Sequence, residues 1–376
     1  MANINDYLLW RGDIPISKAF PFNEIDNMIL ARFSYLLFDR IKFKDNDTIE
    51  SISKKMKDFD NDEFRYNGDK ELITNLGVSA RFKDMKVTDF IQKKDKKAEK
   101  QFGAITVHIS NKEMYVSYIG TDSSIVGWKE DCNMAFMKNV PAQLEGLSYL
   151  NIIAKKYPFS RIRVGGHSKG GSVAIYASIF VPKEIQKRII GVYNYDGPGL
   201  DKSIVDKFED NGILKKIITY IPQDSIIGRF LTHEEKIKVV ESIEKGIYQH
   251  DIYSWQILGT DMIYLDKVTS SSDVIYKTVN GWLKHTSPDQ RRVFFDGAFE
   301  VFYSTSAKTF GEISNNFIKN APTLFKTYKD ISEEDRKVMN QMFKEFVKAY
   351  TTSLKESEKM KIDNKKNDIL NKRNKK

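Results

Sequence analysis

One stretch of this chain leaves few backbones open to it. Arg161-Ile162-Arg163-Val164-Gly165 reads as a short strand, Gly166-His167-Ser168-Lys169-Gly170-Gly171 as a sharp turn, and residues 170–180 as an apolar helix. The turn has the pattern G-x-S-x-G. A serine between strand and helix in this way sits on a strained elbow, and bulky residues two before or two after it would collide with the adjoining elements. Gly166 and Gly170 remove those side chains. The helix that follows aims free N–H groups and the positive end of its dipole at whatever the serine attacks. The pattern alone is common. With an apolar strand before it and a helix after it, it predicts a nucleophile elbow rather than a glycine-rich link.

The surroundings agree. Residues 102–110 and 113–119 read as two strands joined tightly by Asn111-Lys112, a hairpin. Residues 141–157 carry Leu144, Leu147, Leu150, Ile153 and Ala154 at helical spacing. Residues 189–195 and 214–221 are further apolar strands. Strands alternating with helices from residue 100 to 221 predict an α/β fold, with a mostly parallel sheet and helices on both faces. Before it, residues 22–43 and 47–59 read as helices, and Arg11-Gly12-Asp13 as a turn. Beyond residue 268 the strand signal fades. Helices are expected over 273–285, 288–303, 306–328 and 332–357, the last opening on a capping-box variant at Ser332 and Asp335. Its apolar stripe, with Val338, Met339, Met342, Phe343 and Phe346, reads as packing onto the body; an amphipathic lid or membrane-surface helix is the alternative. The expected organisation is 1–268 for the α/β body, 269–354 for a C-terminal helical region, and 355–376 for a basic flexible tail.

Composition narrows the function. Hydrophobic residues at 41% and charged residues at 30% suit a globular chain and exclude wholesale disorder. No apolar run is long enough to span a membrane, and no secretory signal is seen, so a cytoplasmic location is expected. Cys132 is the single cysteine, which excludes an intramolecular disulfide and a cysteine-based zinc site. Of the net charge of +9, residues 355–376 hold +5, so the body is nearly balanced and the basicity sits in the tail. Weak contact with an anionic membrane surface is the partner such a tail offers; specific nucleic-acid binding is not expected.

A serine nucleophile needs a base, and the base needs an orienting carboxylate. Five histidines are present. His108 precedes the serine and His167 adjoins it, so the chain order of this fold leaves His233, His250 and His285. Two aspartates end strands beyond the serine. Asp196 lies in Tyr195-Asp196-Gly197-Pro198-Gly199, a composition that a tight turn alone would explain. Asp224 lies in Pro222-Gln223-Asp224-Ser225.

Four segments in order resemble a known family. Tyr118-Ile119-Gly120-Thr121-Asp122 with Trp128 and Asp131 resembles the oxyanion segment of class 3 (fungal-type) lipases. Gly165 to Gly171 resembles their G-H-S-L-G-G elbow, and residues 214–224 their strand ending in an aspartate. The chain resembles still more an uncharacterised bacterial branch of these lipase-like hydrolases, through Tyr7-Leu8-Leu9-Trp10-Arg11-Gly12-Asp13 and Gln249-His250-Asp251 with Trp255. The match covers about residues 5–265. The resemblance implies an α/β-hydrolase fold and a serine hydrolase acting on a carboxylic ester, foremost a lipid, without a metal or organic cofactor. It makes Ser168 the nucleophile, Asp224 the acid and His250 the base. The backbone N–H groups of Thr121 and Lys169 would form the oxyanion hole.

Two positions depart from the family. Ile119 stands where it has arginine, and Lys169 where it has leucine. Neither change removes a backbone donor. Lys169 reads either as a side chain turned to solvent or as a contact for an anionic head group. The rival functions are a thioesterase or amidase with the same triad, a non-catalytic interaction module on the scaffold, and a helical C-terminal module carried by a hydrolase.

Overall fold

In the computed structural model, residues 2–122, 124–210, 212–305 and 317–373 are described. The chain divides into two units, Met1–Lys267 and Val268–Lys376. The first is built on a sheet whose strands are β1 (Asp47–Thr48), β2 (Lys86–Asp95), β3 (Lys100–Ser110), β4 (Glu113–Ile119), β5 (Arg161–His167), β6 (Ile189–Tyr195), β7 (Ile217–Pro222) and β8 (Lys236–Val240). A small hairpin of β9 (Ile257–Leu258) and β10 (Asp261–Met262) follows, and β11 (Tyr264–Leu265) closes the far edge of the sheet against β8. Spatial order follows chain order from β1 to β8. The strands β4 to β8 run parallel, whereas β1 to β4 and the β8–β11 pair are antiparallel. The sheet is therefore mixed, with the expected parallel part at its centre.

Register places the functional segments. Tyr118 of β4 lies opposite Gly166 of β5, His167 opposite Tyr195 of β6, and Tyr195 opposite Tyr220 of β7. The carboxyl ends of β4, β5 and β6 thus lie side by side, and whatever follows each strand converges on one rim. Ligand sites of open α/β sheets form along such a rim.

Each sheet face carries its own apolar core. On one side, α1 (Ile4–Arg11), α2 (Glu24–Phe33), α3 (Ile49–Met56) and α4 (Asp69–Val78) bury Ile29, Phe33, Ile52 and Leu76 against Val107, Tyr115 and Tyr195. On the other, α6 (Pro141–Lys156) and α7 (Lys169–Phe180) bury Leu150, Ile153, Val173 and Ala177 against Val116, Tyr118, Val164 and Val192. Between them in sequence, α5 (Ile125–Asn133) follows β4; α8 (Lys183–Arg188) and α9 (Lys202–Val205) are short connectors. Both faces of the central strands are covered, so these strands read as continuous apolar runs.

Several expectations shift. The helix expected over 22–43 ends at Phe33, because Tyr35 turns to hydrogen-bond the carbonyl of His167 at 2.8 Å and Phe38 turns to pack on Phe33, Phe43 and Phe90. Tertiary contacts here override helical spacing. Strand β2 is long and ends in Lys93-Lys94-Asp95, whose charges hide it from a hydropathy reading. Buried Arg32 makes a forked pair with Asp69 at 2.8 Å for both bonds, joining α2 to α4, and Arg81 pairs with Asp26.

In the second unit, α10 (Ser270–Lys284), α11 (Pro288–Tyr303), α12 (Phe317–Asp330) and α13 (Glu333–Arg373) are helices. Trp282 is buried among Phe294, Phe295 and Phe346, and its indole N–H donates to the Met342 carbonyl at 3.0 Å. Ser332 caps α13 by accepting from the Asp335 N–H at 3.0 Å. That helix continues to Arg373, past the end at 357 and through most of the segment read as a flexible tail. The helix expected over 306–328 begins outside the described residues. Among the described residues, no helix is long and apolar enough to cross a membrane.

Candidate active site

Strand β5 delivers Ser168 to the rim with φ 57° and ψ −135°, a conformation that a non-glycine residue holds only when its surroundings force it. The forcing is visible. A side chain on Gly166 would stand 2.4 Å from the Gly170 carbonyl carbon and 2.7 Å from the Tyr118 oxygen, and one on Gly170 2.3 Å from that same oxygen. The two glycines let strand and helix close on the serine from both sides, as the motif predicts. Ser168 is partly exposed at the head of α7.

Strand β6 delivers Asp196 beside it, also at positive φ, 49°. Its carboxylate is 2% exposed, and each oxygen is occupied. Oδ2 meets Nδ1 of His250 at 2.7 Å, and Oδ1 accepts from the Ser225 hydroxyl at 2.5 Å and the Gly228 N–H at 3.1 Å. A buried carboxylate so furnished stays in place and holds the imidazole with Nδ1 protonated. The lone pair is then left on Nε2, the atom a general base uses.

His250 ends a 3₁₀ turn, Gly246–His250, and is a fifth exposed. It is held from both flanks. Fully buried Trp255 donates its indole N–H to the Gln249 carbonyl at 2.8 Å, and Tyr253 donates to Asp69 at 2.8 Å. His167 donates from Nε2 to the His250 carbonyl at 2.7 Å, and the two rings lie 4.4 Å apart. Burial, with the nearby guanidinium groups of Arg32 and Arg65, pushes the His167 pKa well down, so this ring stays neutral.

The assignment of Asp224 as the partner of His250 is therefore corrected: Asp196 occupies that place. The reason is topological. The Asp196 loop leaves the strand next to β5, whereas Asp224 leaves one strand further out. Asp224 instead takes part in holding the loop before the histidine; its N–H donates to the Gln249 side chain at 2.8 Å, and its carboxylate accepts from the Gly246 N–H at 3.4 Å. The other histidines lie elsewhere. His233 pairs with Glu235 at 2.6 Å, His285 contacts the Gly281 carbonyl at the end of α10, and His108 faces Thr88.

The segment after β4 supplies the remaining wall. A side chain on Gly120 would lie 2.0 Å from the Tyr35 hydroxyl and 3.2 Å from Cβ of Ser168, so this glycine permits the approach of three segments. Thr121 is buried, and its hydroxyl donates to the Asp131 carboxylate at 2.6 Å. Burial raises the Asp131 pKa to about 6, against the lowering influence of Lys169, Thr121 and His250. Lys169 departs from both of its expected placements. Its side chain is 1% exposed, and its ammonium donates to the Gln101 carbonyl at 3.0 Å, the Gln101 side chain at 2.9 Å and Glu130 at 2.6 Å. It neither reaches solvent nor offers a charge to a head group. Sequence reading passed over Tyr35, Gln101, Glu130 and Ser225; each acts through a contact more than ten residues away in the chain, and none has a local signature. Among the described residues, no three His, Cys, Asp or Glu side chains converge as a metal site.

A protein-family model described as Mbeg1-like matches residues 76–300, more than half of the chain, including Thr121, Ser168, Asp196 and His250. The chain belongs to the Mbeg1-like family. No curated protein matches the sequence significantly. Among solved structures, the chain is similar to the Rhizomucor miehei lipase–propeptide complex, with 17% identity, TM-score 0.32, 42% of this chain and 57% of that one covered. It is similar to the Lip2 lipase of Yarrowia lipolytica at 12% identity and TM-score 0.31, over 46% of this chain and 68% of that one. A mutant form of MDLA from Penicillium cyclopium gives 12% identity and TM-score 0.39, over 67% and 87%. This Mbeg1-like chain carries a mixed sheet with a parallel centre, a strand–serine–helix elbow and helices on both faces of the sheet.

Proposed function

We propose that the chain is a serine hydrolase that cleaves a carboxylic ester through an acyl-enzyme on Ser168. The observation that carries this reading is the His250–Asp196 pair, 2.7 Å apart, on the rim where Ser168 is held at φ 57°. His250 Nε2 takes the Ser168 proton as Oγ attacks the ester carbon. The backbone N–H groups of Lys169 and Thr121 receive the oxyanion; Lys169 opens α7, so its N–H is one of the donors a helix start leaves unpaired. The tetrahedral adduct collapses, His250 returns the proton to the leaving alkoxide, and water repeats the cycle on the acyl-enzyme.

A lipid ester is the proposed substrate class. Ile243, Ile247 and Tyr248 are exposed on the segment leading to His250, where apolar chains of a substrate would meet them. The test is labelling with a fluorophosphonate probe, wild type against Ser168→Ala. Labelling of the wild type alone, with loss of ester hydrolysis in the variant, is expected. A folded Ser168→Ala protein that still hydrolyses esters would remove the proposal.

A further inference from the structure

We propose that Lys169, through Gln101 and Glu130, is a positioning residue that sets the orientation of the second oxyanion donor; this rests on the serine-hydrolase reading above. The connection runs through one peptide. Nζ of Lys169 donates to Oε1 of Gln101 at 2.9 Å, and Nε2 of the same amide donates to the Gly120 carbonyl at 3.3 Å. That carbonyl and the Thr121 N–H belong to the same planar trans unit, so holding the C=O on one side directs the N–H to the other. The residue whose own N–H is the first donor thereby orients the peptide that carries the second.

The clamp is closed at its base. Glu130 Oε2 accepts from Nζ of Lys169 at 2.6 Å and from the Gln101 N–H at 2.9 Å, while Oε1 accepts from the Ala142 N–H at 2.8 Å. With the Gln101 carbonyl at 3.0 Å, all three ammonium protons have acceptors. Lys169 is 1% exposed and Glu130 fully buried, so neither charge is shared with water. A leucine at position 169 would pack there without any of these bonds. An ion pair this deep is costly to desolvate and is weak evidence for stability as such. What it supplies here is geometry, tying α7, β3 and α5 together at the point where two donors on separate segments must keep a fixed spacing.

The test compares wild type, Lys169→Met, and the charge-relieved double variant Lys169→Met with Glu130→Gln. Each is measured for melting temperature, for kcat and KM on a soluble short-chain ester, and for fluorophosphonate labelling at Ser168. The single variant is expected to lose melting temperature, and the double variant to recover part of it. In both, kcat should fall roughly ten- to a hundredfold, less than the full loss of one donor, with KM within about twofold. A folded double variant with wild-type kcat overturns the proposal and leaves the pair merely structural. If the wild type itself fails to label at Ser168, the hydrolase reading has failed first; if it labels, an unchanged kcat counts against the clamp alone.

Discussion

Ser168 and Asp196 share a backbone peculiarity, positive φ at 57° and 49°, each one residue past the end of neighbouring parallel strands. Aspartate tolerates this region better than most residues, and serine less well. Strain of roughly 1–3 kcal/mol at such a residue persists only where its surroundings hold it, and residues so held cluster at reactive sites. This gives Asp196 a distinct expected phenotype. Asp196→Asn should keep the fold and lower turnover by roughly ten-thousandfold, since the amide would favour the wrong imidazole tautomer. Asp224→Asn should cost less than about tenfold, because its carboxylate accepts from the Gly246 N–H in the loop before His250 while Asp196 holds Nδ1 of the imidazole. Kinetics on the two purified variants decide it, and a dead Asp224→Asn beside an active Asp196→Asn would restore the order read from the sequence. That reading held both aspartates as candidates. It set Asp224 beside His250 because Asp-Gly-Pro-Gly suffices for a tight turn; that Asp196 faces His250 instead depends on residues 54 positions apart.

At the scale of elements, the elbow was legible and its supports were not. Strand β5, the glycines and α7 announce themselves because their constraint is local, a collision between atoms four residues apart. Gly166→Ala should therefore cost on the order of 1–3 kcal/mol and abolish probe labelling, since its methyl would meet only backbone atoms that cannot step aside. Gly259→Ala is the control. Its added carbon meets open space, and only its φ of +64° opposes it, so roughly 1 kcal/mol and unchanged labelling are expected. Urea unfolding with labelling of each variant checks both. By contrast, the lysines of β2 hide its strand pattern, and helical spacing over 22–43 runs past the true end at Phe33 because Tyr35 and Phe38 serve partners distant in sequence.

For the whole molecule, the division at residues 267 and 268 sets the proposed site and the helical unit in different parts of the chain. Ser168, Asp196, His250, Thr121, Lys169 and their supports all lie within Met1–Lys267. That segment expressed alone should fold and label with a fluorophosphonate at the full-length rate. A chain of residues 1–267 that melts cooperatively but fails to label would show that the helical unit completes the site. The sequence by itself determined the parallel centre of the sheet and the strand–turn–helix elbow, because each is written in hydrophobic period or in the steric needs of adjacent residues. Only the tertiary structure decided which aspartate meets His250, why Lys169 is buried, and what holds the Gly120–Thr121 peptide. Those answers depend on strand register and on hydrogen bonds between segments far apart in the chain, and a buried ammonium finds its three acceptors only after β3, α5 and α7 have packed.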